Sequence, residues 1–336
     1  MRIFRILLIL ALMVPIAAWS APFQVTSIDL IKYESGLASS AMKAKPILTL
    51  PFGPGDAQVG GEAQDPENRG DGVPSSFRML ADGTFWILDS LNGKLKHFDP
   101  SGKLLKAIDF KSHPEKALFR DFAFAPADGF YMLCVTDGSV EITDASGEKI
   151  NEIEGLQEAR EIGVDPTGNV LVRSPMQRGL LRFEQKAVLI EQFEDLDLSV
   201  YTDSEGHPYG IHGDDKNVVL YKTIVASPAK EVTLASFPLD VPQDRLASYA
   251  ARQVLGVDAA QNIYLELSAR DLDGVLHLNR FVKVSPDGKV LGKLDKLDSP
   301  YMASGLPRFL GISPDGKILG FEISDKAWMI TSFTMP

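Results

Sequence analysis

Apolar and polar residues alternate in short runs along this chain, and one phrase recurs six times between residues 77 and 321. Each copy has an apolar pair, an Asp or Ser, a turn ending in Gly or Asn, and a β-branched, aromatic or aliphatic run. Gly and Asn tolerate the positive φ of tight turns, so each copy predicts a β-hairpin. The copies are Phe77 to Leu88, Phe122 to Val135, Ile162 to Val172, Val200 to Ile211, Leu255 to Leu265 and Leu310 to Phe321.

A second turn follows several of these hairpins, as in Asp99 to Gly102, Asp144 to Gly147 and Ser285 to Gly288. The additional turn predicts four strands in each unit. Four-stranded units that repeat about every 40 to 55 residues are typical of β-propeller blades, whereas helical solenoids carry a helical period. The one segment that we expect to form a short helix is Gln243 to Ala251.

The last unit lacks a partner for its outer edge. The chain ends soon after the predicted strand Ala327 to Ser332, while Pro46 to Phe52 precedes the first hairpin and has no other strand to pair with. We expect Pro46 to Phe52 to pair with the sixth unit, because ring closure removes the sheet edges that invite association. The predicted fold is an all-β, six-bladed β-propeller of four-stranded blades, closed by an N-terminal strand in the last blade.

The first unit contains the phrases DGTFWILD at Asp82 to Asp89 and LNGKLKHFD at Leu91 to Asp99, after a Gly-rich stretch at Phe52 to Gly60. These phrases resemble NHL repeats, in which Asp-x-x-Gly precedes an aromatic-containing strand ending in Asp and an Asn-x-basic turn. The match is good in the first unit, partial in four others and poor in the fourth, where Gly206 to Pro208 interrupts it. The resemblance covers most of residues 45 to 336 and implies a fold without implying a function.

The first twenty residues have the pattern of an export signal. Arg2 and Arg5 precede the apolar run Ile6 to Trp19, and small residues flank a cleavage point after Ser20. The run is short for a bilayer span, although an uncleaved anchor stays an alternative. We therefore expect a periplasmic or secreted protein with a signal peptide at 1–20, an N-terminal extension at 21–44 and a propeller at 45–336.

Charge and cysteine content narrow the possible partners. The formal net charge is -11, and cleavage after Ser20 would remove two arginines and leave about -13. Such a field repels phosphate backbones, so we expect no nucleic-acid binding. Cys134 is the single cysteine and lies in an apolar stretch, which predicts a buried, inert thiol. After cleavage we expect no membrane span, and a monomer unless the chain belongs to a complex.

Arginine recurs where the inner strands of the predicted blades begin, seven to nine residues before each turn. Arg120, Arg160 and Arg308 occupy this place in blades two, three and six, and Arg252 lies near it in blade five. Their guanidinium groups would converge at one mouth of the channel, on the face opposite the Asp-x-x-Gly turns. Planar guanidinium groups suit carboxylate or phosphate, so this mouth is a candidate site for an anionic ligand.

The same arginines have a structural interpretation. Arg120 precedes Asp121 and Arg160 precedes Glu161, so both pairs suit ion pairing between neighbouring blades. Asp121 and Glu161 are also candidate residues of a ligand-binding mouth.

The sequence indicates the function less directly than it indicates the fold. Our leading hypothesis is a binding scaffold that holds a protein, a peptide or a small anionic ligand through its channel mouth and adjacent loops. The alternative is a metal-dependent hydrolase of the lactonase or gluconolactonase type, which the architecture resembles, with Glu161, Asp121 and loop asparagines as metal ligands. Only the loop residues Asn92 and Asn217 come near the Asn positions of that type of centre. The five His have no ligand-like spacing, and no nucleophile elbow is present. We therefore predict no catalytic residue, metal or cofactor and leave the question of enzymatic activity open.

Overall fold

The computed structural model describes residues 45–61, 73–110, 119–126, 128–177, 179–195, 197–213, 217–225, 229–238, 246–249, 253–271, 276–295, 310–323 and 326–335. It confirms an all-β fold of six blades of four antiparallel strands, to which blade 5 adds a fifth strand. The inner strands contact one another in chain order, and the first meets the sixth, so the blades form a ring. The predicted signal peptide and extension, 1–20 and 21–44, lie outside the described residues.

Strand β1 (Lys45–Pro51) opens the described chain and belongs to the last blade. From the channel outward, blade 1 contains β2 (Ser76–Met79), β3 (Phe85–Asp89), β4 (Lys94–Phe98) and β5 (Leu104–Asp109). Blade 2 contains β6 (Phe119–Phe124), β7 (Phe130–Cys134), β8 (Ser139–Thr143) and β9 (Lys149–Ile153). Blade 3 contains β10 (Glu161–Val164), β11 (Val170–Ser174), β12 (Gly179–Phe183) and β13 (Leu189–Phe193).

Blade 4 contains β14 (Leu198–Thr202), β15 (Pro208–Gly213), β16 (Asn217–Ile224) and β17 (Lys230–Pro238). Blade 5 carries an extra strand, and its members are β18 (Leu246–Tyr249), β19 (Gln253–Val257), β20 (Ile263–Asp271), β21 (Leu276–Val284) and β22 (Val290–Asp295). Blade 6 contains β23 (Leu310–Ile312), β24 (Ile318–Ile323), β25 (Ala327–Phe333) and, outermost, β1.

The ring closes as the sequence predicted. Strand β1 pairs antiparallel with β25, with Leu48 opposite Ile330 and Leu50 opposite Trp328. These four side chains are buried in one cluster that also contains residues of blades 1 and 5. Burial of apolar area at this joint stabilises the closed ring by roughly 25 cal/mol per Å².

The chain crosses from β1 to blade 1 through a loop that a buried ion pair holds. Lys96 Nζ lies 2.8 Å from Asp89 Oδ2, and both side chains are fully buried. Lys96 also donates to the carbonyls of Gly55 and Gln58, and Asp89 accepts from the N–H of Gly60. The interaction therefore ties the closing strand to the blade that follows it.

The short helix expected at Gln243 to Ala251 is wrong in its described part, because Leu246–Tyr249 forms β18. Strand β20 is longer than β19, and β18 pairs with the part of the β20 edge that β19 leaves unpaired. Backbone pairing with that edge overrides a weak local helix propensity. Among the described residues, the helical assignment is limited to the 3₁₀ turn Pro175–Gln177.

Every outer strand bends at a β-bulge against the third strand of its blade. A bulge places two residues opposite one and leaves the extra residue outside the ladder. The extra residue is Leu or Ile in all six blades, namely Ile47, Leu105, Ile150, Ile190, Leu234 and Leu291.

Within the described ranges, we find no helix with the length and apolar character needed to cross a bilayer.

Candidate functional site

All six inner strands contribute to a cavity of about 430 Å³ on the axis of the ring. Its lining includes Met79, Val164 and Asp203, which lie at the ends of inner strands or in the turns that follow them. The cavity therefore lies toward the face that carries the turns between first and second strands. This is the end of the channel opposite the predicted arginine mouth.

One position of the inner strands explains why space exists there. The equivalent residues of the six blades are Arg78, Ala123, Gly163, Tyr201, Gly256 and Gly311, and all of them line the cavity. Four of the six are Gly or Ala, so only blades 1 and 4 place a large side chain at this level. The remaining wall is mostly apolar, with Phe77, Phe124, Ile162 and Ile312 among its members.

Arg78 is the arginine that lines the cavity, and it is not among the arginines predicted from the sequence. Its Nη2 lies 2.7 Å from Asp121 Oδ1 and also donates to the carbonyl of Phe122, while its Nη1 donates to Ser76 Oγ. The guanidinium lies over the ring of Phe122 at 4.8 Å. The predicted arginines are those where inner strands begin, whereas Arg78 lies in the second half of β2 and takes its acid from the next blade.

Asp121 connects three blades. Its fully buried carboxylate accepts hydrogen bonds from Ser76 Oγ of blade 1, from the backbone N–H of Phe122 in its own blade and from the N–H of Ile162 in blade 3. Asp121 thus takes part in an ion pair between blades, with Arg78 as the cation and not one of the predicted arginines. A carboxylate with this many donors has little capacity left for another ligand.

The other predicted site residues are placed as follows. Arg120 is half-buried in β6, and Arg160 is exposed, with Nη2 3.8 Å from Glu158 of its own loop. Glu161 begins β10, opposite Arg173 of β11. Arg252 and Arg308 lie outside the described residues, so the convergence of arginines at one mouth stays a prediction.

On the turn face, three consecutive blades hold the Asp of the turn with a base from their third strand. The pairs are Asp165 with Arg182 at 3.3 Å, Asp203 with Lys222 at 2.7 Å and Asp258 with Lys283 at 3.2 Å. Burial raises the pKa of Asp203, but bonds from Lys222 and from the backbone of His207 outweigh it and lower that pKa below its ordinary value. The Asp203 carboxylate is thus ionised and compensated at neutral pH.

Asp203, Glu205 and His207 form a cluster that could hold a metal ion, since their donor atoms lie within 4.8 Å of one another. The equivalent turns explain the geometry without a metal. Asn169 donates to Asp165 and Asn262 donates to Asp258, as the His207 ring does to Asp203 at 3.2 Å. His207 therefore takes the place of a turn-stabilising Asn, and Lys222 occupies the same oxygen of Asp203.

Gln261 has two unusual properties among the residues that line the cavity. Its φ is 64°, in the left-handed region, at the turn position where blades 3, 4 and 6 have Gly168, Gly206 and Gly316. Its buried Oε1 accepts no hydrogen bond from the described part of the chain. A left-handed backbone at a non-glycine residue has an energetic cost, and Asp128, Glu158 and Ala187 share it. The orphan oxygen is therefore the property that sets Gln261 apart within the lining.

Comparison with known proteins identifies no family for this chain. No protein-family model matches the chain, and no curated relative matches it in sequence. The solved structure of a virginiamycin B lyase from Staphylococcus aureus is 9% identical, with 84% of this chain and 98% of that chain covered and a TM-score of 0.49. A gluconolactonase from Xanthomonas campestris is 11% identical, with 87% and 98% covered and a TM-score of 0.46. A luciferin-regenerating enzyme is 12% identical, with 86% and 96% covered and a TM-score of 0.45.

The chain is thus a six-bladed β-propeller by its own strand order. At these identities and TM-scores, no activity is transferred to this chain from the similar structures. Membership of the NHL-repeat family, which the first blade resembles, stays a prediction.

Proposed function

We propose that this propeller is a binding module whose axial cavity holds a small, uncharged molecule with an apolar body and a hydrogen-bond donor. Concave sites with mostly apolar walls and a few polar groups are typical of small-molecule binding. The observation that carries the proposal is Gln261, which lines the cavity and whose buried amide oxygen has no donor among the described residues. Rotation of the Gln261 side chain toward the cavity would let a ligand N–H or O–H donate to that oxygen.

The charges at the wall favour an uncharged ligand. Arg78, Asp165 and Asp203 are the charged residues of the lining, and each has a partner of opposite charge in Asp121, Arg182 or Lys222. An additional charge in the cavity would lose hydration without gaining a counter-charge, which is costly in a partly buried site.

The hypotheses drawn from the sequence remain proposals with less support. A small anionic ligand, a protein or a peptide at the opposite mouth stays a proposal that depends on Arg120, Arg160, Arg252 and Arg308. The lactonase-type alternative is less well supported, because the Asp121 carboxylate is engaged by donors from three blades. Export is also a proposal, and protein sequencing of the mature N-terminus in extracellular or periplasmic fractions would test whether it begins at Ala21.

Two probes that share one ring system test the cavity proposal. N-phenyl-1-naphthylamine is uncharged and carries one N–H, whereas 8-anilinonaphthalene-1-sulfonate adds a negative charge to the same skeleton. We expect the uncharged probe to bind with a rise in fluorescence and the sulfonate to bind at least about tenfold more weakly. Both are titrated into the folded wild-type protein at neutral pH.

A size series at Gly311 locates the binding event. A Cβ at Gly311 would meet the Phe77 ring at 3.8 Å, which is ordinary contact, and the φ of Gly311 lies outside the left-handed region, so Ala fits there without backbone strain. We expect Gly311→Ala to keep most of the probe affinity and Gly311→Leu to abolish it, with melting temperatures near that of the wild type. Binding that persists in Gly311→Leu, or a probe that does not bind the wild type, would refute the axial site.

A further inference from the structure

The turn between β3 and β4 contains a side-chain amide that holds the closing loop, defined as Phe52 to Gly61, against blade 1. Asn92 Nδ2 donates to the Gly53 carbonyl at 3.0 Å and to Asp89 Oδ2 at 2.8 Å. The first acceptor belongs to the closing loop, and the second belongs to the buried ion pair of Asp89 and Lys96. One amide therefore joins the loop that follows β1 to the blade that comes next in the chain.

The residue after Asn92 makes this amide chemically labile. Asn92 is the one asparagine of the chain that a glycine follows. Glycine has no Cβ, so the backbone nitrogen of Gly93 can approach the preceding side chain closely. Both residues are partly exposed, so water has access to them. The pair therefore has the requirements for loss of ammonia from the side chain.

The reaction balances with water as the one co-reactant. The Gly93 nitrogen gives up its proton and forms a bond to Cγ of Asn92, while the bond between Cγ and Nδ2 breaks. Nδ2 takes up a proton and leaves as ammonia, and a cyclic imide remains. Water then adds to either carbonyl of the imide, so the product at position 92 is an aspartate or an isoaspartate.

The folded turn opposes this reaction. The Gly93 N–H donates to the Ser90 carbonyl at 3.2 Å, and the leaving nitrogen of Asn92 is held by its two acceptors. Attack requires the Gly93 nitrogen and the Asn92 amide to turn toward each other, so these bonds must break first. The reaction therefore proceeds from molecules in which the closing loop has separated from the turn.

The product cannot restore the lost hydrogen bonds. A carboxylate at position 92 has no hydrogen to donate, and the Gly53 carbonyl and the Asp89 carboxylate are both acceptors. Lys96, which already pairs with Asp89, would be shared between two carboxylates. Like charges so close together repel strongly in a partly buried site, so the closing loop would stay separated.

We propose that Asn92 is a site of spontaneous deamidation, and that the reaction traps the open form of the joint between the closing loop and blade 1. Each opening of the loop exposes the amide to reaction, and each reaction keeps one molecule open. The site thus limits the lifetime of the closed ring.

The rate is measured on the folded protein at mildly alkaline pH, by mass spectrometry of its peptides, as replacement of NH2 by OH. We expect Asn92 to react at least about tenfold faster than Asn151, which glutamate follows. It should react at least about tenfold more slowly than the same pair in a free peptide of residues 89–96. A rate no higher than that of Asn151, or equal to that of the peptide, would overturn the proposal.

Dependence on loop opening is tested with Gln58. Its Oε1 accepts from the Gly55 N–H and its Nε2 donates to the Phe52 carbonyl, so it organises the closing loop. Gln58→Ala should raise the rate at Asn92 at least about threefold. Gln192→Ala removes one side-chain hydrogen bond in blade 3 and should leave the rate unchanged. An unchanged rate in Gln58→Ala, or an equal rise in Gln192→Ala, would show that the reaction does not require opening of the loop.

The trap is tested with the products. Asn92→Asp makes one product directly, and we expect it to lower the urea midpoint of unfolding by about 0.5 M or more. Asn151→Asp makes the same charge change at an exposed residue of β9 and should lower the midpoint by less than about 0.2 M. Deamidated protein, separated from the intact form by its additional negative charge, should unfold as Asn92→Asp does. A wild-type midpoint for the deamidated protein would overturn the trap.

Discussion

Lys96 and Glu141 occupy the same position in neighbouring blades, but their surroundings compensate the buried charge to different extents. Lys96 lies opposite Ile87 in blade 1, and Glu141 lies opposite Met132 in blade 2. Both are almost completely buried. Lys96 meets Asp89 at 2.8 Å and two loop carbonyls, whereas Glu141 meets the Lys149 amino group at 3.8 Å. Burial accordingly raises the pKa of Glu141 to about 7.

The difference shows that a buried charge can hold two segments together only when hydrogen bonds and a counter-charge fully replace its hydration. Around Lys96 the replacement is made by a segment from the start of the chain, so the pair also joins β1 to blade 1. Around Glu141 the replacement is partial, and the group takes up a proton instead. At the same position the other blades have Leu181, Tyr221, Val282 and Thr331, so these blades bury no charge there.

Removal of the Asp89 carboxylate should have the largest effect on stability. Asp89→Ala leaves Lys96 buried without its counter-charge, and we expect it to lower the free energy of unfolding by about 3–5 kcal/mol. Asp56→Ala is the matched control, because Asp56 lies in the same loop and pairs with Lys94 at 2.6 Å with its side chain 58% exposed. That variant should cost less than about 1 kcal/mol. Urea unfolding measures both, and equal costs would show that the buried pair does not fasten the loop.

Glu141 should make stability depend on pH. Its folded-state pKa, about 7, lies above the ordinary value of 4.5, so the folded state holds the proton more tightly than the unfolded state. The stability it contributes is complete below pH 4.5 and is lost as pH rises through about 7. Glu141→Gln mimics the protonated form, and we expect it to raise the free energy of unfolding at pH 8 by about 1–3 kcal/mol.

The control for Glu141 is the pH at which the two forms are equivalent. Near pH 4 the wild type and Glu141→Gln should unfold at nearly the same urea concentration, since the wild-type carboxyl is then protonated in both states. A stabilisation of equal size at pH 4 and pH 8 would mean that the gain comes from packing and not from titration.

Most of the fold could be predicted from the sequence because its signal is repeated. Six turns with Gly or Asn after an apolar pair determine six hairpins, and the unpartnered Pro46 to Phe52 determines how the ring closes. The helix expected at Gln243 to Ala251 was wrong because the pairing edge on β20 is a property of the assembled blade. Local propensity contains no information on such an edge.

The candidate site was harder to predict, for a physical reason. Its space comes from what is missing at one position, the side chains of Gly163, Gly256 and Gly311, and small residues carry no chemical signal in a sequence. The pair of Arg78 and Asp121 joins residues 43 positions apart. A comparison of equivalent positions across the repeats would have exposed both features, since Arg78 stands where most blades have Gly or Ala.

Gln261 lies at a turn position where other blades have Gly, and its replacement by Gly should have the smallest effect on stability. Gln261→Gly removes the side chain from the cavity and relieves a left-handed backbone at φ 64°. Glycine loses more entropy on folding than glutamine, so we expect the free energy of unfolding to change by less than about 1 kcal/mol. Affinity for N-phenyl-1-naphthylamine should nevertheless fall about threefold to tenfold, because one hydrogen bond is lost.

Ala187 provides the matched control, since its φ is 67° and it lies in a turn of blade 3 that does not line the cavity. Ala187→Gly should change stability in the same direction as Gln261→Gly and leave probe affinity at the wild-type value. If both variants bind the probe as the wild type does, the strain at Gln261 has no connection with ligand binding. If Gln261→Gly loses affinity only together with a large loss of stability, the side chain supports the turn and not the ligand.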